Sequence, residues 1–393
     1  MPLTFPDGFL WGAAGSAHQT EGNNVASDFW ALENRPDAFL PERSGDACDS
    51  YHRWPEDLDI VRRTGLNAYR FGIEWARVEP VEGRVSRAAL AHYRRVIEGC
   101  LERGVTPVVT LHHFTSPLWF QKDGGWPSPK AAGRFRRYVR AVLPILDGVE
   151  WVCTINEPNM VAMMAAMLRR RERTEAVAGA MPPPDQEIAD ALAVAHRAAR
   201  EELGARRGLK SGWTVANQNF EAADGAEGER DAWAWSREDQ FLDAAAGDDF
   251  VGVQAYTRVL IGPDGALPAP DGARRTLTQW EFYPDALGNA VRHTAARVPG
   301  VPILVTENGI ATSDDAERVE YTRGALAGLH AAMAEGADVR GYLHWSLLDN
   351  YEWGSYRPTF GLVSVDRETF ARTAKPSARW LGRVARSGAL PEE

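Results

Sequence analysis

The chain has 393 residues, 44% of them hydrophobic and 25% charged, enough apolar content for a large buried core and too much for a disordered polymer. With 54 acidic against 44 basic residues it carries a formal charge of −10, so it has no basic surplus to neutralise phosphates, and nucleic acid is excluded as a partner. No apolar run approaches the ~18 residues of a membrane span, and MPLTFPDGFLWGAAG lacks the basic start and apolar stretch of a secretory leader, so a cytoplasmic protein is expected.

In chain order, short apolar runs alternate with amphipathic stretches. FLWGAAGSAHQ (9–19) reads as a strand. PEDLDIVRRTG (55–65) reads as a helix, with Pro55 opening its first turn and Gly65 ending it. NAYRFGIEW (67–75) is a second strand. SRAALAHYRRVIEGCLERG (86–104) follows as a helix, with Ser86 as N-cap and Leu90, Tyr93, Ile97, Cys100 and Leu101 on one stripe. TPVVTLHHF (106–114) and VEWVCTINEP (149–158) are the third and fourth strands, and EIADALAVAHRAAREELG (187–204) is helical. SGWTVANQN (211–219), DDFVGVQAYT (248–257) and VPILVTENG (301–309) supply three more strands. The helix ERVEYTRGALAGLHAAMAEG (317–336) and an eighth strand in GYLHWSLLDN (341–350) complete the pattern.

Runs that are apolar throughout belong to strands buried on both faces, as in a parallel sheet. Eight of them separated by helices favour an α/β fold of the (β/α)8 TIM-barrel type over an open doubly wound sheet. GAAGSA (12–17) lacks the glycine spacing of a dinucleotide loop. No linker interrupts the chain, so one barrel domain over 1–393 is expected, with its core at about 5–385 and its site at the C-terminal ends of the strands. Residues 218–247, with WAW at 233–235, and the Gly/Pro-rich 262–285 read as loops beyond strand ends. Trp233 and Trp235 read as loop packing. MVAMMAAML (160–168) puts Met160, Met163, Met164 and Met167 on one helical face, which either packs on the barrel wall or lines an outer pocket. RRRER (169–173) reads as a solvated helix end. Cys48, Cys100 and Cys153 match neither a metal spacing nor a disulfide framework, so free thiols are expected.

In a barrel the C-terminal strand ends share one crater. The polar residues there are Gln19, His113, Asn156, Glu157, Tyr256, Glu307 and Glu352, accompanied by Trp345 and Trp353. Glu157 closes the fourth strand and Glu307 the seventh, three places apart around the ring, so their carboxyls can face each other. Two opposed carboxyls suit acetal cleavage, one giving a proton to the leaving oxygen and one facing the oxocarbenium-like carbon; at about 5–5.5 Å apart the second attacks directly and configuration is retained. Gln19, Asn156 and Glu352 suit the bidentate demands of sugar hydroxyls, His113 adds another hydrogen-bonding group, and an indole such as Trp345 suits the apolar face of a pyranose. Tyr256 can donate to the nucleophile. His112 and His113 point to opposite faces of a strand, which argues against a metal pair. Glu74 reads as a structural partner for a barrel arginine such as Arg70.

FLWGAAGSAHQTEG (9–22), YRFGIEWARVEP (69–80), TLHHFTSPLWF (110–120), TINEPN (154–159), VTENG (305–309), HWSLLDNYEWGSYRPTFGLVSVD (344–366) and AKPSARW (374–380) together resemble glycoside hydrolase family 1, the β-glucosidases, over nearly the whole chain. The resemblance implies Glu157 as acid/base and Glu307 as nucleophile, with Tyr256 positioning Glu307. It implies Gln19, His113, Asn156, Trp345, Glu352 and Trp353 as the glycone-binding set. It also implies the barrel fold, retention of configuration, a small-molecule β-glycoside or oligosaccharide as substrate, and no cofactor or metal. The expected activity is that of a retaining β-glycosidase acting on terminal β-D-glucosyl residues, with β-galactosides and β-fucosides as further substrates. The alternatives are a transglycosylase using the same residues and a non-catalytic sugar-binding barrel. The sequence departs from the family at Asn159 and Phe114, each in place of a usual Trp, and at GVQAYT (252–257), where Gln254 takes the place of an Asn. The chain is also shorter than most members after residue 168 and around 218–247, so a different entrance is expected.

Overall fold

The computed structural model describes residues 2–172 and 181–391. Each of the eight apolar runs holds one strand of a closed parallel barrel: β1 (Leu10–Ala14), β2 (Ala68–Gly72), β3 (Thr106–Thr110), β4 (Trp151–Asn156), β5 (Lys210–Ala216), β6 (Val251–Gln254), β7 (Ile303–Asn308) and β8 (Val339–Trp345). Around it stand α1 (Ser50–Thr64), α2 (Arg87–Glu102), α3 (Ala131–Val142), α4 (Pro158–Glu172), α5 (Gln186–Leu203), α6 (Ala286–Arg297), α7 (Asp315–Ala334) and α8 (Pro376–Ser387). The strands are apolar on both faces because both faces are covered. Tyr69, Phe71, Val109, Val152, Val215 and Val305 pack outward in the strand–helix layer. Ala68, Val108, Trp151, Phe250, Leu304 and Leu343 form a separate cluster. By the two-residue period of a strand, that second set faces the barrel axis and plugs its lower half. One step further along the same strands the inward side chains turn polar, at Arg70, Thr110, Asn156 and Gln254, all buried.

Strict alternation fails on three strands, one of them β8, whose pairing with β7 shifts between Val339 and Tyr342. The pairing of β4 with β5 shifts between Cys153 and Asn156, and that of β7 with β6 shifts between Val305 and Glu307. Leu304 belongs to the inner cluster and Val305 to the outer one, so an unbroken period would turn Glu307 outward. The irregularity re-aims it, as bulges beside functional sites do.

Several local expectations are corrected. The first barrel helix starts at Ser50, five residues before Pro55, so the proline lies inside it instead of opening it. The carboxylate of Asp49, preceding the helix, holds the side chains of His52 at 2.7 Å and Arg53 at 3.1 Å, which fastens a turn that the proline pattern concealed. Ser86 does cap α2, accepting from Ala89 N–H at 3.2 Å, but Leu101 at the end of its stripe is 41% exposed. Residues 218–247 are not a plain loop. They hold a strand, Phe220–Ala222, and helical segments Glu227–Ala234, Trp235–Asp239 and Gln240–Ala244; the strand joins Val259–Gly262 and Gly265–Ala266 in a small sheet. Trp233 packs against Phe220 there, while Trp235 stands 52% exposed. The three cysteines are free and buried. Arg169 pairs with Asp185; the remaining side chains of the basic run 169–173 lie outside the described residues. Among the described residues no helix is long and apolar enough to cross a membrane.

The barrel interior is tight enough to require glycine. A Cβ on Gly212 of β5 would stand 1.8 Å from the Phe250 carbonyl oxygen, a backbone atom that cannot swing aside. Gly212→Ala is therefore expected to destabilise the protein by about 3 kcal/mol through overpacking, read as a lower denaturation midpoint in urea.

Candidate active site

Glu157 sits where strand turns into helix. Its N–H donates to Thr214 O at 2.8 Å, and its carbonyl accepts from Val161 N–H at 2.9 Å, opening α4. Pro158 fills the first helical position, where a missing N–H costs nothing. The turn puts Glu157 at a φ of 45°, and Phe114 at 66° and Trp353 at 48° share this left-handed conformation. All three line one cavity of about 550 Å³. Such backbone costs roughly 1–3 kcal/mol per non-glycine residue and gathers at functional sites.

Glu307, at the shifted end of β7, lines the same cavity. One carboxylate oxygen accepts from Arg70 Nη1 at 2.5 Å and the other from Tyr256 Oη at 2.5 Å. Arg70 rises from β2 with a side chain wholly removed from solvent. Its Nη2 donates to Asn156 Oδ1 at 2.5 Å and its Nε to Thr110 Oγ1 at 2.9 Å. The expected Arg70–Glu74 pair does not form. Glu74 lies past the strand end, caps the next turn through Ala76 N–H at 3.0 Å, and accepts from Thr115 Oγ1 at 2.7 Å. Arg70 is thus a member of the site that sequence reasoning assigned elsewhere. Its signal was visible, an arginine inside the apolar run AYRFG, but its partner is a residue 237 positions away.

The structure brings His113, Glu157, Tyr256, Glu307, Trp345, Glu352 and Trp353 to the cavity wall. Gln19 and Asn156 lie just behind it, fully buried. Gln19 Nε2 donates to Glu352 Oε2 at 3.2 Å and to Asn350 Oδ1 at 3.1 Å, while its Oε1 accepts from Ser16 Oγ at 2.7 Å. Trp345 Nε1 donates to the other Glu352 oxygen at 3.1 Å. The Asn156 oxygen accepts from Arg70, from Thr214 Oγ1 at 3.1 Å and from Gln254 Nε2 at 2.9 Å, which fixes the carboxamide. The Asn156 Nδ2 and His113 Nδ1 then have no protein partner among the described residues. The His113 ring stacks on Trp345 at 5.8 Å and on Trp353 at 6.2 Å. His112, one residue earlier, turns the other way, against Ser116 and Trp126.

Of the methionine face, Met160 and Met164 line the cavity, Met163 is fully buried, and Met167 is half-buried off the cavity. The face therefore divides between the two readings. Asn159 holds both backbone groups of Ala216, at 2.8 and 3.2 Å, and the carbonyl of Arg237 at 2.9 Å, stapling α4 to β5.

Electrostatics separate the two acids. Burial raises the Glu157 carboxyl well above its ordinary value, and the nearby Glu307 charge raises it further. Burial raises Glu307 as well, but Arg70 and the Tyr256 hydroxyl pull it back. A closely placed pair of this kind holds one proton between its members, and that proton belongs on Glu157. Burial pushes Glu352 up to about 8 against the donors Trp345 and Gln19. Burial, with Arg70 adding to it, drives His113 well below its usual range and keeps the imidazole neutral.

The sequence pattern of glycosyl hydrolase family 1 matches residues 1–199 and 268–389. The chain is 32% identical to the thermostable beta-glucosidase B of Thermobispora bispora, over 99% of this chain and 92% of that one. It is 30% identical to the bifunctional beta-D-glucosidase/beta-D-fucosidase of Bifidobacterium breve, over 98% of each. Its fold superposes on the crystal structure of beta-glycosidase BGL167 with a TM-score of 0.90, at 44% identity and 99% coverage of both chains.

Replacing Arg70 tests the electrostatic arrangement. Arg70→Met leaves Glu307 buried without its cation and is expected to cost about 3–5 kcal/mol at neutral pH. Because the Glu307 pKa then rises further above its unfolded value, the deficit shrinks as pH falls and the carboxyl takes up its proton. Urea unfolding at neutral and mildly acid pH measures both effects.

Proposed function

The chain belongs to glycosyl hydrolase family 1, and on that premise we propose that it is a retaining β-glucosidase, hydrolysing terminal β-D-glucosyl residues, with β-fucosides and β-galactosides as further substrates. The observation that carries the reading is the pair of buried glutamates on one cavity, only one of which is paired with a cation. The fucosidase activity named for the Bifidobacterium relative supports the wider glycone range.

The proposed chemistry follows from that asymmetry. Glu157, protonated, donates to the glycosidic oxygen while Glu307, held ionised by Arg70 and oriented by Tyr256, attacks the anomeric carbon. Esterification removes the negative charge of Glu307, and with it the repulsion that kept Glu157 protonated. Glu157 then accepts a proton from the incoming water, and the ester is cleaved with overall retention. The glycone is held by Glu352, Gln19 and Asn156 around its hydroxyls, with His113 as a neutral imidazole beside them and Trp345 and Trp353 against the ring. The free donor on Asn156 supports this role. Residues 1–393 act as one catalytic domain, a reading supported by barrel strands drawn from Leu10 to Trp345 and by the pairing of Leu3–Thr4 with Ala389–Leu390. The unpaired buried thiols support a reducing, cytoplasmic setting.

Glu307→Gly is expected to abolish hydrolysis of p-nitrophenyl β-glucoside, and azide to restore turnover with an α-glucosyl azide as product. Full activity in that variant refutes the assignment. Glu157→Gln is expected to lower kcat on substrates with poor leaving groups by about 10²–10⁴-fold. It should also remove the alkaline limb of the pH–rate profile, since that limb reports loss of the Glu157 proton, and leave the acid limb set by Glu307.

A further inference from the structure

A second hollow, of about 520 Å³, opens on the outside of the barrel, where α1 and α8 meet the short strand Arg372–Ala374. Its wall shares no residue with the cavity that holds the two glutamates. Arg63, Arg372, Arg379, Arg383 and Arg386 line it, and among the described residues no carboxylate and no aromatic ring joins them. The Arg372 side chain is wholly removed from solvent, and Asp57 meets its charge at 2.9 Å. The other four arginines are exposed, and among the described residues none of them pairs with a carboxylate. Arg63 Nε donates to the Asp59 carbonyl at 3.2 Å, Arg379 Nη1 to that of Ala374 at 3.3 Å and Arg386 Nη1 to that of Thr64 at 2.6 Å. Arg383 has no polar partner among the described residues.

On other helices of this acidic chain arginines meet carboxylates. Arg136 and Arg140 of α3 share Glu202, while Arg292 and Arg297 of α6 pair with Glu335 and Asp243. Cations are favoured in the last turn of a helix, which accounts for Arg386 on α8 and Arg63 on α1. It does not account for Arg379. That residue stands near the start of α8, where a cation is disfavoured, and four places before Arg383, a spacing at which like charges destabilise a helix. PSARWLGRVARS, the whole of α8, contains no acid to offset them. Glycine at the helix crossing holds the array together. A Cβ on Gly382 would stand 1.7 Å from the Thr64 carbonyl oxygen, the oxygen that Arg386 engages, so the bare position lets α8 lie against the end of α1 and brings Arg63 to the same wall. Like charges gathered in one cavity repel, and an anion between them relieves the repulsion.

We propose that this cavity binds a compact anion carrying two or more phosphoryl groups. Guanidinium groups hold phosphoryl oxygens through paired N–H donors. Arg63 keeps both of its terminal nitrogens free for that purpose, and Arg383 keeps its whole fork. The volume lies within the range of small-molecule sites and exceeds what one tetrahedral oxyanion requires. With no ring on the wall for a base to stack on, recognition is by charge and not by a nucleoside. The net charge of −10 repels a long polyanion, whereas a small one enters the local field, which salt screens beyond about 8–10 Å. The proposal is independent of the glycosidase reading.

Titration calorimetry at fixed ionic strength, in buffer free of divalent cations, tests it with pyrophosphate, orthophosphate, citrate and ADP. Pyrophosphate is expected to bind at one site per chain, more tightly than orthophosphate or citrate, with ADP no tighter than pyrophosphate. Arg379→Gln and Arg383→Gln are each expected to weaken pyrophosphate binding about tenfold. Arg136→Gln and Arg140→Gln, equal losses of charge on α3, are expected to leave it unchanged. Because Arg383 has no polar partner in the protein, its replacement removes binding without removing a contact of the fold. Absence of pyrophosphate binding overturns the proposal, and so does an equal loss in the α3 variants, which marks a diffuse effect of charge. Unaltered affinity in the Arg379 and Arg383 variants overturns the location. Orthophosphate or citrate bound as tightly as pyrophosphate, or ADP bound more tightly, overturns the class of ligand.

Discussion

The buried pair between Arg70 and Glu307 is the contact on which the rest of the site depends. A guanidinium with no solvent exposure is expensive to place in a protein interior and persists only when its donors are met. Here they are met by Glu307, Asn156 and Thr110, from three different strands. One cation therefore ties the ends of β4 and β7 together from the side of β2. It holds a negative charge at Glu307, and through that charge keeps the proton on Glu157. It also engages the oxygen of Asn156, leaving its amide group to donate elsewhere. Charge, protonation and orientation in the cavity all follow from where this single side chain lies.

The barrel makes room for that arrangement by dividing its interior. Below, Val108, Trp151, Phe250, Leu304 and Leu343 exclude water and set the low dielectric in which the ion pair is strong. Above, the inward positions become polar. Register shifts near the ends of β4 and β7 turn Asn156 and Glu307 to the axis, and left-handed backbone at Phe114, Glu157 and Trp353 completes the wall. Two of the register shifts lie where the cavity is built, while the lower barrel interior is tightly packed. Stability and geometry are thus supplied by different layers of the same strands.

A second division runs across the cavity. The inner half consists of residues carried by strand ends and their turns, the positions at which the family resemblance is densest. The outer half owes much of its wall to the segment after β5 and to the small sheet containing Val259–Gly262. That segment folds into helices and strands of its own, with ion pairs that absorb its charged groups and leave apolar side chains facing the opening. A conserved type of chemistry and a chain-specific entrance are compatible because they are built from separate parts of the chain.

How much of this was legible beforehand depended on the range over which each feature is decided. Strand positions, most helix positions and the placing of Glu157 and Glu307 on one cavity were readable, because apolar runs buried on both faces, two of them ending in an acid, are local patterns that the barrel converts directly into a ring of strand ends. The capping by Ser86 was equally local. The start of α1 was not, since the side chains gathered by Asp49 outweigh a proline signal. The partner of Arg70 was not either, because spacing along a strand says nothing about which residue across a closed barrel it will meet. The same holds for the bulges that aim Glu307, for Gln19 standing behind Glu352, and for the division of the methionine face into core and cavity. By itself the sequence determined the barrel and the chemical groups it carries; which of them touch, and which share a proton, was decided only by barrel closure, which brings distant strand ends together and removes them from water.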